Sequence, residues 1–327
     1  MDLVGKLSQQ QFKSVQPAGP SADPPPGSVL QNHPTQRAVA LDGWRAVLFG
    51  LPFLAVGIFV FLAALGYVHG RKNTPDWIIG IFGGMFFLAG LFCFVHGLLG
   101  VVRKAKYAKE AATRPDQPWY YDFHWSQQGV AFSAFNAMVK RLVAAVIWSA
   151  FLAPFFWVGL NARGAWLFLV IASLFGLVSL LLWYRWLQML ADLLLYGNSF
   201  LKYEGFPYFL GGTLRARLRA PHHVSDIDEL SLTLRCVQEK YVTSGSGRDR
   251  STSVVCYELY KNALSFTRDQ LTGLAGGDIS VEFRLPETQP TTTLAMNPPI
   301  YWEIEARGKS HRANYEAYFL VPVYKAQ

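Results

Sequence analysis

The sequence predicts an α-helical membrane bundle of four transmembrane helices, arranged as two hairpins, followed by an all-β antiparallel sandwich. Three observations carry that reading. Residues 46–68, 77–102, 142–160 and 164–184 contain no Asp, Glu, Lys or Arg, and each run approaches or exceeds the ~20 residues a helix needs to cross ~30 Å of hydrocarbon. The connections alternate between short (69–76 and 161–163) and long and polar (103–141). From Gly197 onward the apolar period becomes two, with turn signals between short stretches, which is the signature of half-buried strands.

Composition agrees. Of 327 residues, 51% are hydrophobic and 16% charged, a balance too apolar for an ordinary soluble chain of this size. Residues 1–36 are polar and rich in Pro, Gln and Ser around "PAGPSADPPPG". They lack the apolar core of a cleavable signal peptide, and "DPPPG" has no PxxP frame with basic flanks, so the segment reads as a disordered Pro-rich tail. The remaining divisions are a first transmembrane hairpin at 37–102, a cytoplasmic loop with an aromatic segment at 103–141, a second hairpin with a helical extension at 142–196, and the sandwich at 197–327.

Lysine and arginine placement orients the spans. The long loop holds Arg103, Lys104, Lys106, Lys109, Arg114, Lys140 and Arg141, and the outer flanks hold Arg37, Arg45 and Arg185. The two short turns hold only Arg71, Lys72 and Arg163. The positive-inside rule then puts both termini and the long loop in the cytoplasm. Trp44, Trp77, Trp148, Trp157, Trp166, Trp183 and Trp186 fall mostly at span ends, as interfacial anchors do. A transporter would carry charged groups inside its spans; here His96 is the main ionisable candidate, and it reads as a packing or headgroup contact. Gly80 and Gly84 form a GxxxG in the second span, and Gly83, Gly90 and Gly97 recur every seven residues. Small residues at these spacings let helices approach closely, either within the hairpin or across a homodimer seam.

In the long loop, "RPDQPWYYDFHWSQQGVAFS" supplies Trp119, Tyr121, Phe123 and Trp125, and Tyr121, Phe123 and Trp125 alternate with Asp122 and His124. With "SQQG" as a turn and Val130 and Phe132 alternating beyond it, the pattern predicts a short hairpin lying at the membrane surface or against the sandwich. Asp122 and His124 have no nucleophile beside them in sequence, so docking explains the segment better than catalysis.

In the last part, Leu214, Ala216 and Leu218 alternate with Arg215, Arg217 and Arg219. Leu230, Leu232, Leu234 and Cys236 follow. "TSGSGRDRSTS", with Arg248 and Arg250, joins 237–242 to 254–259 as a hairpin tip. Ile279, Val281, Phe283 and Leu285 alternate with Ser280, Glu282 and Arg284. Ile300, Trp302, Ile304 and Ala306, then Phe319, Val321 and Val323, complete the set. At least seven strands without helices between them make an antiparallel sandwich. Pro286 ends a ladder because it donates no N–H, with "ETQPTT" crossing between sheets, and Pro322 marks an edge or a bulge.

The stretches "GFPYFLGGTLRARLRAP", "LTLRCVQ", "ISVEFRLPETQPTT" and "IYWEIEARGKSHRANYEAYFLVPVY" resemble an arrestin-type sandwich of immunoglobulin-like build. Such domains share a glycine-bearing early hairpin, a strand ending in a proline break, and a Tyr/Trp strand before a last strand near a proline. Leu285-Pro286, Pro290, Tyr301-Trp302 and Val321-Pro322-Val323 occupy those places. Residues 197–327 are about 40% of the chain, enough for one sandwich where an arrestin has two, so a phosphate-sensing core between lobes is not implied. The whole layout, with "PW…HW" and "YGNSFLKYEGFPYFLGGTLRARL", also resembles a group of bacterial inner-membrane proteins without an assigned activity.

What the sequence excludes is clearer than what it selects. There is no GxGxxG, P-loop, GxSxG or HExxH. Cys93, Cys236 and Cys256 form no CxxC or Cys/His cluster. Cys93 reads as a packing residue, and Cys236 and Cys256 could face each other across a hairpin, with reduced thiols expected in a cytosolic domain. His222 and His223 before Asp226, Asp228 and Glu229 read as a solvated loop rather than a metal site. The expectation is therefore no catalytic residues, no metal and no cofactor. Nucleic acid is an unsuitable partner, since no strand interleaves aromatic and basic residues. Arg215, Arg217, Arg219, Arg248 and Arg250 are candidates for contact with a protein partner or with the lipid bilayer. The expected function is a membrane-anchored adaptor or accessory subunit, working by binding and open to strand addition at a sheet edge. The alternatives are a regulatory subunit of a transporter or channel, and a membrane enzyme built on His124 and His222.

Overall fold

A computed structural model describes residues 28–30, 33–37, 43–67, 75–161, 166–219, 224–245, 250–272, 278–311 and 314–326. Four helices are long and apolar enough to cross a membrane: α1 (Trp44–Ala64), α2 (Asp76–Thr113), α3 (Ala134–Asn161) and α4 (Trp166–Tyr196). The protein is a multi-pass membrane protein. At 1.5 Å per residue the 38-residue α2 is about 57 Å long, nearly twice the hydrocarbon thickness. It therefore runs on past Val102 as a charged helix to Thr113, where a loop from residue 103 was expected.

α1 and α2 pack closely along the seven-residue stripe. A Cβ at Gly83 would sit 2.7 Å from the Phe61 nitrogen, at Gly90 2.8 Å from the Leu54 Cα, and at Gly97 2.7 Å from the Gly43 carbonyl oxygen. Only glycine admits that approach. Gly80 meets nothing nearer than the Ala64 Cβ at 3.8 Å, and Gly84 faces open space. Gly84, one residue out of phase with the stripe, therefore lies off the contact, while Gly80 meets α1 only at ordinary van der Waals distance. The second hairpin is held differently. Ser149 and Ser179 share a 2.9 Å hydrogen bond, and the Trp183 indole donates to Ser149.

The sandwich has two main sheets. One runs β1 (Ser28–Leu30), β7 (Ser251–Thr267), β6 (Ile227–Ser244), β9 (Ile300–Ser310) and β10 (Tyr315–Val321) in spatial order. The other runs β2 (Gly129–Phe132), β3 (Ser199–Tyr203), β5 (Thr213–Arg219) and β8 (Asp278–Arg284). A parallel pair, β4 (Tyr208–Phe209) with β11 (Val323–Tyr324), lies beside them. A five-residue helix, α5 (Arg268–Thr272), follows β7. The core between the sheets is continuous, with Leu214, Leu218, Leu232, Val281, Phe283, Trp302 and Phe319 at most 1% exposed. Polar groups buried there have partners: Tyr203 donates to the Leu320 carbonyl at 2.6 Å, Tyr315 to the Ser199 hydroxyl at 2.7 Å, and the Trp302 indole to the Pro290 carbonyl at 2.9 Å.

Both proline expectations hold. β8 stops at Arg284, and the segment after Pro286 carries the chain across to β11, where the Thr292 N–H bonds the Val323 carbonyl. Pro322 separates β10 from β11.

Three further expectations are corrected. The segment 1–36 is not a tail throughout: Ser28–Leu30 pairs antiparallel with β7, and His33 is buried. Tyr121–Trp125 forms no hairpin with residues 130–132. Gly129–Phe132 instead pairs with β3, because a strand placed just before α3 can complete a sheet whose other members lie some 70 residues onward. Cys236 and Cys256 do not face each other. Cys236 stands opposite Tyr260 and Cys256 opposite Glu239, with a bulge between Cys236 and Val237. All three cysteines are free thiols, and burial pushes those of Cys236 and Cys256 up to about 12, helped at Cys256 by Glu239 and Glu303.

Candidate functional site

The aromatic loop lies between the membrane helices and the sandwich. A turn of 3-10 helix at Pro118–Tyr120 sets Trp119 edge-on to Phe209 and Tyr324, at ring separations of 6.1 and 5.8 Å. Phe123 and Trp125 pack edge-on at 4.9 Å, and the Trp125 indole donates to the Tyr324 hydroxyl at 2.9 Å. Tyr121 turns back to bond the Pro115 carbonyl at 3.1 Å. Asp122 is the polar centre of this contact. One carboxylate oxygen accepts the Ala295 N–H at 2.7 Å and the other accepts the Tyr324 hydroxyl at 3.0 Å. Burial pushes the Asp122 carboxyl above the ordinary carboxylate range, and the backbone N–H groups of Ala295 and Leu294 and the Tyr324 hydroxyl oppose that shift. Asp122 is thus held by structural bonds on both oxygens and binds the loop to the sandwich.

A cavity of about 380 Å³ opens beside this contact, where α2 leaves the apolar region. One wall is a stripe of α2, with His96, Gly100, Arg103, Lys104 and Tyr107 at helical spacing. The facing wall is Asp122–His124 together with Leu294–Asn297, and Arg37 closes one side. The Arg37 guanidinium stands 5.3 Å over the Phe123 ring. Burial lowers the pKa of Arg37 from the ordinary guanidinium range, and Tyr301, Glu239 and Glu303 oppose that shift. The cavity was not visible in the sequence. Arg37, Arg103 and Lys104 registered there only as orienting charges, because they come from segments about 65 residues apart.

The arginine row lies on the outer face of the four-stranded sheet. Arg215, Arg217 and Arg219 alternate with the fully buried Leu214, Ala216 and Leu218. Arg217 reaches Glu204 at 2.5 Å and Arg215 reaches Glu282 at 3.4 Å. Arg250 is exposed where β7 begins, whereas Arg248 lies outside the described residues, as do His222 and His223. Among the described residues no group of three His, Cys, Asp or Glu side chains could hold a metal ion.

A second charged cluster, which the sequence concealed, lies on the outer face of the five-stranded sheet. Glu239, Glu303 and Glu305 are at most 1% exposed. Residues 33–37 cover them: His33 Nε2 is 2.7 Å from Glu303, the Thr35 hydroxyl donates to Glu303 at 2.7 Å, and the Arg37 N–H donates to Glu239 at 2.7 Å. Arg235 bridges Glu258 and Glu305 at 2.8 and 2.6 Å, and Arg307 meets Glu305 at 2.8 Å.

No protein-family model matches the sequence, and no curated protein matches it. Among solved structures, the crystal structure of Spo0M, a sporulation control protein from Bacillus subtilis, is similar over 39% of this chain and 49% of that one, at 10% identity and a TM-score of 0.23. The matched region thus spans about half the length of that protein. The sandwich described above stands on its own strand pairings and core.

Proposed function

We propose that this chain is a membrane-anchored adaptor without catalytic function, which holds an arrestin-like sandwich at a fixed angle beneath the cytoplasmic face of a bacterial inner membrane and offers it to a protein partner. The observation that carries this reading is β8. It pairs with β5 along all seven residues from Asp278 to Arg284, its other edge bears no strand among the described residues, and its outer face sets Asp278, Ser280 and Glu282 beside Arg219, Arg217 and Arg215. A regular, unbulged edge of that length suits an added strand, and the arginines of β5, one strand in from that edge, suit an acidic partner that competes with Glu204 and Glu282 for them. Support for a binding role also comes from the spans, which contain no charged residue over their apolar runs. The lysines and arginines around the long loop support the orientation, with both termini cytoplasmic.

The test is a photoreactive residue at Ser280 in the full chain in native membranes. The expected result is a protein cross-link at Ser280 that disappears in Arg217→Glu/Arg219→Glu and is not formed from Lys106 on the α2 extension. Absence of any protein cross-link at Ser280, with the chain folded and inserted, would end the adaptor reading.

A further inference from the structure

We infer that the cavity between α2 and the sandwich is a binding site for the phosphate of an anionic lipid headgroup from the leaflet on the sandwich side. The inference is independent of the partner proposed for β8 and rests on three features.

The first is depth. His96 and Gly100 belong to the uncharged run that ends at Val102, and Arg103 and Lys104 follow within one turn on the same helix face. The cavity therefore spans the level at which acyl chain gives way to phosphate. Outside it the lipid-facing surface is continuous: Phe92 is 71% exposed and its ring stacks on His96 at 5.9 Å.

The second is charge. Among the described residues Arg37, Arg103 and Lys104 line the cavity with one carboxylate, that of Asp122, while Glu239 and Glu303 act on Arg37 from outside it. Both Asp122 oxygens already accept hydrogen bonds from Ala295 and Tyr324. Among the described residues no carboxylate forms an ion pair with Arg103. Basic pockets beside a span on the cytoplasmic side take anionic headgroups, and a guanidinium with a neighbouring ammonium can grip phosphate oxygens.

The third is shape. The opposite wall is set by the sandwich, not by the bilayer. Leu294–Asn297 is held by the Ala295 N–H bond to Asp122, and Met296 projects at the rim, 65% exposed. An apolar rim over a cationic floor fits an amphiphile better than a free anion.

The experiment uses the purified full chain in nanodiscs, with lipid retention read by native mass spectrometry after release. The arms are phosphatidylglycerol in phosphatidylcholine, phosphatidylcholine alone, and phosphatidylcholine with millimolar inorganic phosphate. The wild-type chain is expected to retain phosphatidylglycerol selectively. Arg103→Gln/Lys104→Gln should weaken that retention about twenty-fivefold, at about fivefold per headgroup contact. Arg37→Gln, which keeps the main-chain bond to Glu239, should weaken it about fivefold. Arg215→Gln/Arg217→Gln, on the far sheet face, should leave it unchanged. Equal retention by the Arg103→Gln/Lys104→Gln and wild-type chains overturns the site. Inorganic phosphate displacing the lipid, or raising the melting temperature as much as the lipid does, overturns the lipid assignment.

Discussion

The two sheets of the sandwich have opposite outer faces. In the four-stranded sheet, β5 and β8 alternate strictly between exposed and buried, and the charges on the open side pair loosely in water. In the five-stranded sheet, β6 and β9 carry charged residues at the equivalent alternate positions, yet Arg235, Glu239, Glu303 and Glu305 are buried. The difference lies in what lies above them. Residues 33–37 cover the second face and bring His33, Thr35 and the Arg37 N–H to the carboxylates, while nothing described covers the first. Identical alternation thus yields exposed ion pairs worth about 0–1 kcal/mol on one sheet and a buried network on the other, where a lost partner strands a charge.

The largest expected effect breaks that contrast. Glu303→Ala removes the partner of His33 and Thr35 and should cost about 3–5 kcal/mol, read as a lower melting temperature of the sandwich in detergent. Glu282→Ala on the open face should cost less than about 0.5 kcal/mol. Similar losses for the two would show that the cover contributes nothing.

A parallel contrast exists in the spans. Gly90→Leu forces α1 and α2 apart and should cost about 1–3 kcal/mol or more, seen as loss of a cysteine cross-link engineered between the helices. Gly84→Leu should leave that cross-link intact, because Gly84 faces open space.

Cys236 lies between the sheets and Cys256 on the outer face of the five-stranded sheet, beside its strand partner Leu30 and near Val237 and Tyr301. With both thiols pushed up to about 12, maleimide at pH 8 should label neither in the folded chain. In Glu303→Ala, Cys256 should become reactive while Cys236 stays protected. The sign with pH follows: the unfolded thiols ionise near 8.5 and the folded ones near 12, so stability should fall as pH rises through that window. Labelling of Cys236 and Cys256 at equal rates in that variant would place them in one environment and refute the separation.

A comparably small effect should come from Arg217→Ala. Its pair with Glu204 is half-exposed, and the melting temperature should move by less than the change that about 1 kcal/mol produces. A larger drop would mean that the open face is covered after all.

Much of this was legible from period alone. β8 declared both its faces, since Ile279, Val281 and Phe283 match the buried positions. The four spans were read from uncharged length. The Gly83, Gly90 and Gly97 stripe was visible but indistinguishable from Gly80 and Gly84, because the sequence does not state which way a helix is rotated. The aromatic loop showed its composition without its destination. Asp122 bonds Tyr324, 202 positions away, and no local pattern encodes that distance.

The sequence by itself determined where the chain crosses the membrane and which residues of β5 and β8 turn inward, because hydrocarbon length and the strand period are local constraints. Only the tertiary structure decided that residues 28–30 and 33–37 are part of the sandwich, that Glu239, Glu303 and Glu305 are buried, and that Arg37, Arg103 and Lys104 line one cavity. Those outcomes depend on segments more than sixty residues apart meeting, and a charged residue reads the same in sequence whether water or a hydrogen-bond partner solvates it.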